Sequence, residues 1–297
     1  MKIPARLNKG DKLALISTAR KITYNELKPS IDIIESWGIR VVLTKNLFKQ
    51  DNQFSGTIHQ RKNDLQEILN NEEIKAILCV RGGYGTIQIV DQIDFTNFKK
   101  KPKWIIGYSD ITILHSHLNR LGIASIHATM PVNFQNNTKK SLLSLKENLF
   151  KFENQISYKS NSYNQKGFVE GEIVGGNLSI LYSLLSSVSD IETNNKILII
   201  EDIDEYLYHI ERMIISLKRA GKFQNIKALI VGGFTKARDN IIPFGKTVEQ
   251  IILEHIIEYE VPICFNFPFG HVDDNRAVKL GVQSTLKITE NDVILTQ

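Results

Sequence analysis

From residue 12 to residue 121 the chain switches again and again between short apolar runs and stretches of helical periodicity. No other feature limits its fold as strongly. Residues 12–17, 40–44, 76–80 and 104–106 read as strands. Residues 25–37, 59–69 and 111–121 repeat their apolar positions at helical spacing, and a further helix is expected through Val90 and Ile93. Strands that alternate with helices predict a parallel sheet covered on both faces. In such sheets function collects where strands end and helices begin. Two polar, glycine-bearing segments fall at that edge: Arg81-Gly-Gly-Tyr-Gly85 and Gly107-Tyr-Ser-Asp110.

From 133 to 166 the character changes to Asn, Ser, Gln and Lys, with scattered helical signal over 141–150. This divides the chain into an N-terminal α/β domain (1–135), a linking region (136–166) and a C-terminal α/β domain (167–297). In the last part, strands are expected at 171–177, 196–200, 228–231 and 261–265, and helices at 178–185, 208–220 and 248–259. Residues 278–297 alternate like a hairpin or edge pair.

Composition excludes several classes. With 42% hydrophobic and 23% charged residues, the chain can bury a core without a disulfide or metal staple. Its two cysteines, Cys79 and Cys264, lie in separate apolar runs and read as buried thiols, as suits a reducing, cytoplasmic compartment. The apolar run near the N-terminus, 13–16, is too short for a signal or membrane helix. A net charge of +5 on dispersed lysines is no nucleic-acid footprint. No metal-ligand spacing appears, and His115 and His117, two apart on a helix, point to different faces. No metal and no organic cofactor is expected.

Three strands run out into polar residues that complement one another. Ile106-Gly-Tyr-Ser109 offers a hydroxyl, Ile199-Ile-Glu-Asp202 carboxylates, and Phe267-Pro-Phe-Gly-His271 an imidazole. Serine is a poor nucleophile until a base takes its proton, and the base needs a carboxylate to fix its tautomer. Ser109 at a strand-to-helix turn matches a nucleophile elbow, except that Ile111 replaces the second glycine of G-x-S-x-G. A helix N-cap would explain the same serine. Glu201 competes with Asp202 and Glu205 for the carboxylate role, and His271 with His127 for the base. The glycines at 81–85 suit an anion or an oxyanion, but neither G-x-G-x-x-G nor a P-loop is present. A non-catalytic α/β protein that holds a phosphorylated ligand would use the 81–85 and 107–110 segments but leave those of Glu201 and His271 unexplained.

Taken together, Cys79-Val-Arg-Gly-Gly-Tyr-Gly85, Ile106-Gly-Tyr-Ser-Asp-Ile-Thr112, Val174-Gly-Gly-Asn-Leu178, Ile199-Ile-Glu-Asp202 and Phe269-Gly-His271 resemble, in order, the serine LD-carboxypeptidases (peptidase family S66). The resemblance implies a flavodoxin-like N-terminal parallel sheet with helices on both faces, a smaller C-terminal α/β domain, a site between them and a homodimer. It implies a cytoplasmic hydrolase that releases terminal D-alanine from murein tetrapeptides. Its catalytic residues would be Ser109, Glu201 and His271, with the amides of Asp110 and Gly83 as oxyanion hole. Arg81, Gly82, Asn177 and Tyr206 are the candidate substrate contacts. A related branch, the microcin C immunity-type peptidases, cleaves acyl-sulfamoyl-adenylates and stacks the adenine on an aromatic ring, for which Tyr206 and Tyr208 are available.

Overall fold

The structure, a computed structural model, describes residues 1–297. The first half runs β1 (Lys12–Ile16), α1 (Tyr24–Ser36), β2 (Arg40–Leu43), α2 (Ile58–Asn70), β3 (Ile74–Cys79), α3 (Thr96–Lys100), β4 (Trp104–Gly107), α4 (Thr112–Arg120) and β5 (Ser125–His127). The five strands pair in the order β2-β1-β3-β4-β5, all parallel, which is the flavodoxin-like arrangement. β1, β3 and β4 are apolar along nearly their whole length because both sheet faces are covered by helices. Helices α1 and α2 begin where they do because Thr23/Glu26 and Thr57/Gln60 form reciprocal capping boxes.

One expected helix is absent. Residues 86–92 form two short 3₁₀ turns, and α3 covers only five residues. Gly85 has no side chain with which to cap a helix. The next capping carboxylate is that of Asp94, which accepts the Thr96 amide at 2.8 Å and restarts the helix there.

The rest of the chain runs α5 (Lys139–Phe150), β6 (Gln155–Lys159), β7 (Gly167–Asn177), α6 (Leu178–Ser183), β8 (Ile197–Ile203), α7 (Leu207–Arg219), β9 (Ala228–Thr235), α8 (Val248–Ile256), β10 (Ile263–Cys264), β11 (Val278–Leu280), β12 (Gln283–Ile288) and β13 (Asp292–Thr296). A seven-stranded sheet forms in the order β10-β9-β8-β7-β12-β13-β6. It is parallel from β10 to β7 and antiparallel beyond.

Residues 136–166 belong to both halves. Leu145 and Leu149 of α5 enter the first core, and β6 forms the edge of the second sheet. The scattered helical signal at 141–150 is α5. The alternation at 278–297 also divides. β12 and β13 make the hairpin, but β11 crosses to the first sheet and pairs antiparallel with β5. The carboxyl ends of β4 and β8 and the segment leading into β11 thereby meet at one cleft. Cys79 and Cys264 are buried, and burial pushes both thiols up to about 12. No helix is long and apolar enough to cross a membrane.

Candidate active site

β4 ends at Gly107, and two residues later Ser109 sits at φ +63°. A left-handed backbone is uncommon for a residue other than glycine, and such strain clusters at functional turns. Here it lifts the hydroxyl out of the strand line just before α4. The departure from the glycine pattern has a steric basis. A Cβ on Gly107 would lie 2.8 Å from Cγ1 of Ile111, so Ile111 fills the space that Gly107 leaves.

The Ser109 hydroxyl donates to Nε2 of His271 at 3.2 Å. On the other side of the ring, Nδ1–H donates to Oε2 of Glu201 at 2.6 Å, and the His271 backbone N–H donates to the same oxygen at 3.1 Å. Glu201 is wholly buried and fixes both the tautomer and the ring direction. This closeness requires Gly270, at φ +92°: a Cβ there would lie 2.4 Å from Cγ and Oε2 of Glu201. Burial alone would lower the His271 pKa, but the Glu201 charge and hydrogen bond outweigh it and hold it above the ordinary imidazole value.

The competing residues are engaged elsewhere. Asp202 points to the opposite face of β8 and accepts from Asn177 Nδ2 and the Ser179 and Ile203 amides at 2.8–2.9 Å. Burial, with Glu201 beside it, raises its pKa to about 7. Glu205 accepts from His209 at 2.6 Å. His127 is buried, stacked on Phe269 at 3.6 Å, and neither ring nitrogen has a partner. Burial drives its pKa well below the usual value, so it remains neutral core. His115 is hydrogen-bonded to Gly107 O and Ser125, and burial lowers it to about 4. His117 pairs instead with Ser189.

A strained serine, a histidine and a buried carboxylate thus form one relay across two sheets. The same two halves match two family models: the LD-carboxypeptidase N-terminal domain over residues 13–128 and the LD-carboxypeptidase C-terminal domain over residues 170–286. The chain belongs to the LD-carboxypeptidase family. It is an enzyme, a carboxypeptidase of the hydrolase class.

Among its relatives, the probable murein peptide carboxypeptidase of Bacillus subtilis is 34% identical over 304 residues, covering 98% of this chain and 93% of that protein. The microcin C7 self-immunity protein MccF of Escherichia coli is 25% identical over 334 residues, covering 99% and 96%. The crystal structure of muramoyltetrapeptide carboxypeptidase from Oxalobacter formigenes superposes with a TM-score of 0.89 at 24% identity, over 96% of this chain and 98% of that one.

In this carboxypeptidase, Gly82 stands beside Ser109; a Cβ there would lie 3.4 Å from Ser109 Oγ. The loop that carries Gly82 and Gly83 is fixed by side chains to which sequence reasoning gave no such role. Asp110 accepts from the Thr86 amide at 3.0 Å and its hydroxyl at 2.6 Å, and the Thr86 hydroxyl meets that of Thr18 at 2.7 Å. The buried Arg61 donates to the carbonyls of Thr18 (2.8 Å) and Gly85 (3.0 Å) and to Gln88 (2.7 Å). A signal existed in the sequence: Arg61 falls on the buried face of α2 that carries Leu65 and Ile68, where a charge needs internal partners. Arg61→Ala should cost about 3 kcal/mol, because it leaves buried carbonyls unsatisfied. A fall in the urea midpoint at constant slope checks this.

Other expected substrate contacts are placed differently. The Asn177 side chain is buried and caps α6. Its Oδ1 accepts from the Ile180 amide (3.1 Å) and Ser179 Oγ (2.8 Å), and its Nδ2 is spent on Asp202. Arg81 donates to the Lys21 carbonyl at 3.2 Å and lies 3.8 Å from Glu26. The Tyr206 ring lies 5.5 Å from that of Tyr208 and is covered by the Arg238 guanidinium at 5.4 Å, which Asp204 holds in place. The open space instead lies beside His271 and Tyr108, as a cavity of about 470 Å³.

Proposed function

We propose that the enzyme releases terminal D-alanine from murein tetrapeptides by cutting the bond from the L-centre of the diamino acid, through an acyl-enzyme on Ser109. The observation that carries this reading is the continuous relay from Glu201 through His271 to Ser109. Ser109 Oγ attacks the carbonyl as Nε2 of His271 takes its proton, and Glu201 stabilises the imidazolium that forms. The amides of Asp110, at the start of the turn, and of Gly83, beside Gly82, receive the oxyanion. His271 then gives the proton to the leaving amine, D-alanine departs, and water attacks the ester by the same route in reverse. The reading includes a cytoplasmic role in peptidoglycan recycling, in keeping with two free buried thiols, and a homodimer that sedimentation would test.

Incubation with purified murein tetrapeptide tests the reaction. Stoichiometric D-alanine is expected, and none would reject the reading. The acyl-sulfamoyl-adenylate alternative needs an open aromatic face, whereas Arg238 already covers one face of Tyr206 and Arg212 one face of Tyr208. Efficient cleavage of an aminoacyl-sulfamoyl-adenosine without D-alanine release from tetrapeptide would favour that alternative. Tyr206→Ala is expected to change tetrapeptide turnover little.

The pH profile follows from the raised His271 pKa. His271 must be neutral to accept the proton, so the active form exists above its pKa. With that pKa raised, kcat/KM should fall on the acid side around a midpoint above the ordinary value of about 6.5. A midpoint well below that value would contradict the assigned base.

A further inference from the structure

We infer that Lys236 is the residue that reads the free carboxylate of the residue released. The inference rests on the carboxypeptidase reading and adds to it the group that makes the enzyme specific for chain ends. The direction of the chemistry supplies the first step. The leaving amine takes its proton from Nε2 of His271, so the departing residue lies on the imidazole side of Ser109. The cavity beside His271 is on that side. Its polar lining comes from Asn133, Asn136, Asn137, Thr235, Lys236 and Asp273, and Lys236 is the one permanent cation among its walls.

The state of that lysine is the second step. Its side chain makes no ion pair and no hydrogen bond within the chain. Asp204, whose carboxylate feels Lys236, is held by Arg238. Lys236 also sits at φ +55°, a left-handed conformation that costs free energy for a residue with a Cβ. The backbone that imposes it is tied to the catalytic segment. Thr235, the preceding residue, donates its hydroxyl to the His271 carbonyl at 3.0 Å, and its own carbonyl accepts the Asp204 amide at 2.9 Å. The register of Lys236 against the imidazole is therefore fixed, while its ammonium remains uncommitted. Asp273, the carboxylate in the same walls, gives the cavity the opposite sign too, which suits an amino acid leaving as a zwitterion. Two arginines stand at the glycine-loop edge: Arg81 already contacts Lys21 and Glu26, and Arg20 packs over Gly83, where a Cβ would lie 2.6 Å from its Nε, rather than lining the cavity beside His271.

The test compares kcat/KM for murein tetrapeptide with a free C-terminus and for its C-terminal amide, in the wild type and in Lys236→Gln, Lys236→Arg, Arg81→Gln and Arg20→Gln. Lys236→Gln should raise KM for the acid by about 10- to 100-fold, the worth of one charge-assisted contact, with kcat within a few fold. The amide should be unaffected, so that the acid-to-amide ratio collapses, and Lys236→Arg should restore most of it. A ratio that persists in Lys236→Gln, or that collapses in Arg81→Gln or Arg20→Gln instead, overturns the inference while leaving the carboxypeptidase reading intact. A wild type that releases no D-alanine from the free tetrapeptide removes both.

Discussion

Ser109→Ala is expected to lower kcat on murein tetrapeptide by about ten-thousand-fold or more, the scale seen when a triad member is removed. The loss should fall on kcat rather than KM, because the hydroxyl is absent from the bond-making step while the cleft is unchanged. Folding should survive. The side chain makes one hydrogen bond, to His271, and the turn is fixed by its neighbours: Gly107 packs against Ile111, and Asp110 is bonded to Thr86. Members of a relay act as a unit, so the double variant with His271→Ala should be hardly worse than either single one. Circular dichroism establishes the fold, and a fluorophosphonate probe should label the wild type at Ser109 and leave the variant unlabelled. A Ser109→Ala enzyme that keeps a tenth of the activity would sink the nucleophile assignment.

Glu201→Gln should be nearly as damaging, about a thousand- to ten-thousand-fold in kcat, although it changes one atom. Oε2 accepts two N–H groups from His271, from the ring and from the backbone. A carboxylate satisfies both in any rotamer. An amide has only one acceptor oxygen, and turning its NH₂ toward the ring would select the tautomer that cannot take the serine proton. The charge that now raises the His271 pKa would also vanish. The acid limb of the pH profile should then move to lower pH as the plateau drops. Full activity with an unshifted acid limb would mean that another carboxylate serves His271. Asp202 cannot do so without breaking its bonds to Asn177 and to the start of α6.

The parallel sheet could be read from the sequence because strands buried on both faces are written as unbroken apolar runs. The nucleophile, carboxylate and imidazole segments were legible for a related reason, since each is polar material at the end of such a run. The choice of His271 over His127 came only from the family resemblance and could not be read from either segment alone. Both follow apolar segments, and what separates them is burial: His127 lies sealed under Phe269, whereas His271 faces the cleft. The failure at 86–92 reflects a missing cap. The Asn177 side chain caps α6 and bonds Asp202, an engagement the sequence does not reveal, because a glycine turn looks the same whether the following amide meets a ligand or caps a helix. Lys236 carried no pattern at all. It emerges only when the end of β9 is seen beside His271.

The crossing of β11 has a consequence for when the enzyme comes to exist. The first sheet receives its outermost strand from residues 278–280, which are synthesised long after the five parallel strands they complete. His271 lies just ahead of that strand. A nascent chain can therefore build the serine turn, and even the sheet that supports it, without having any base to activate it. Until the closing strand arrives, β5 also offers its open edge to any chain able to pair with it. Catalytic competence and protection of that edge are thus acquired together, from a single stretch of chain made well after the parallel strands.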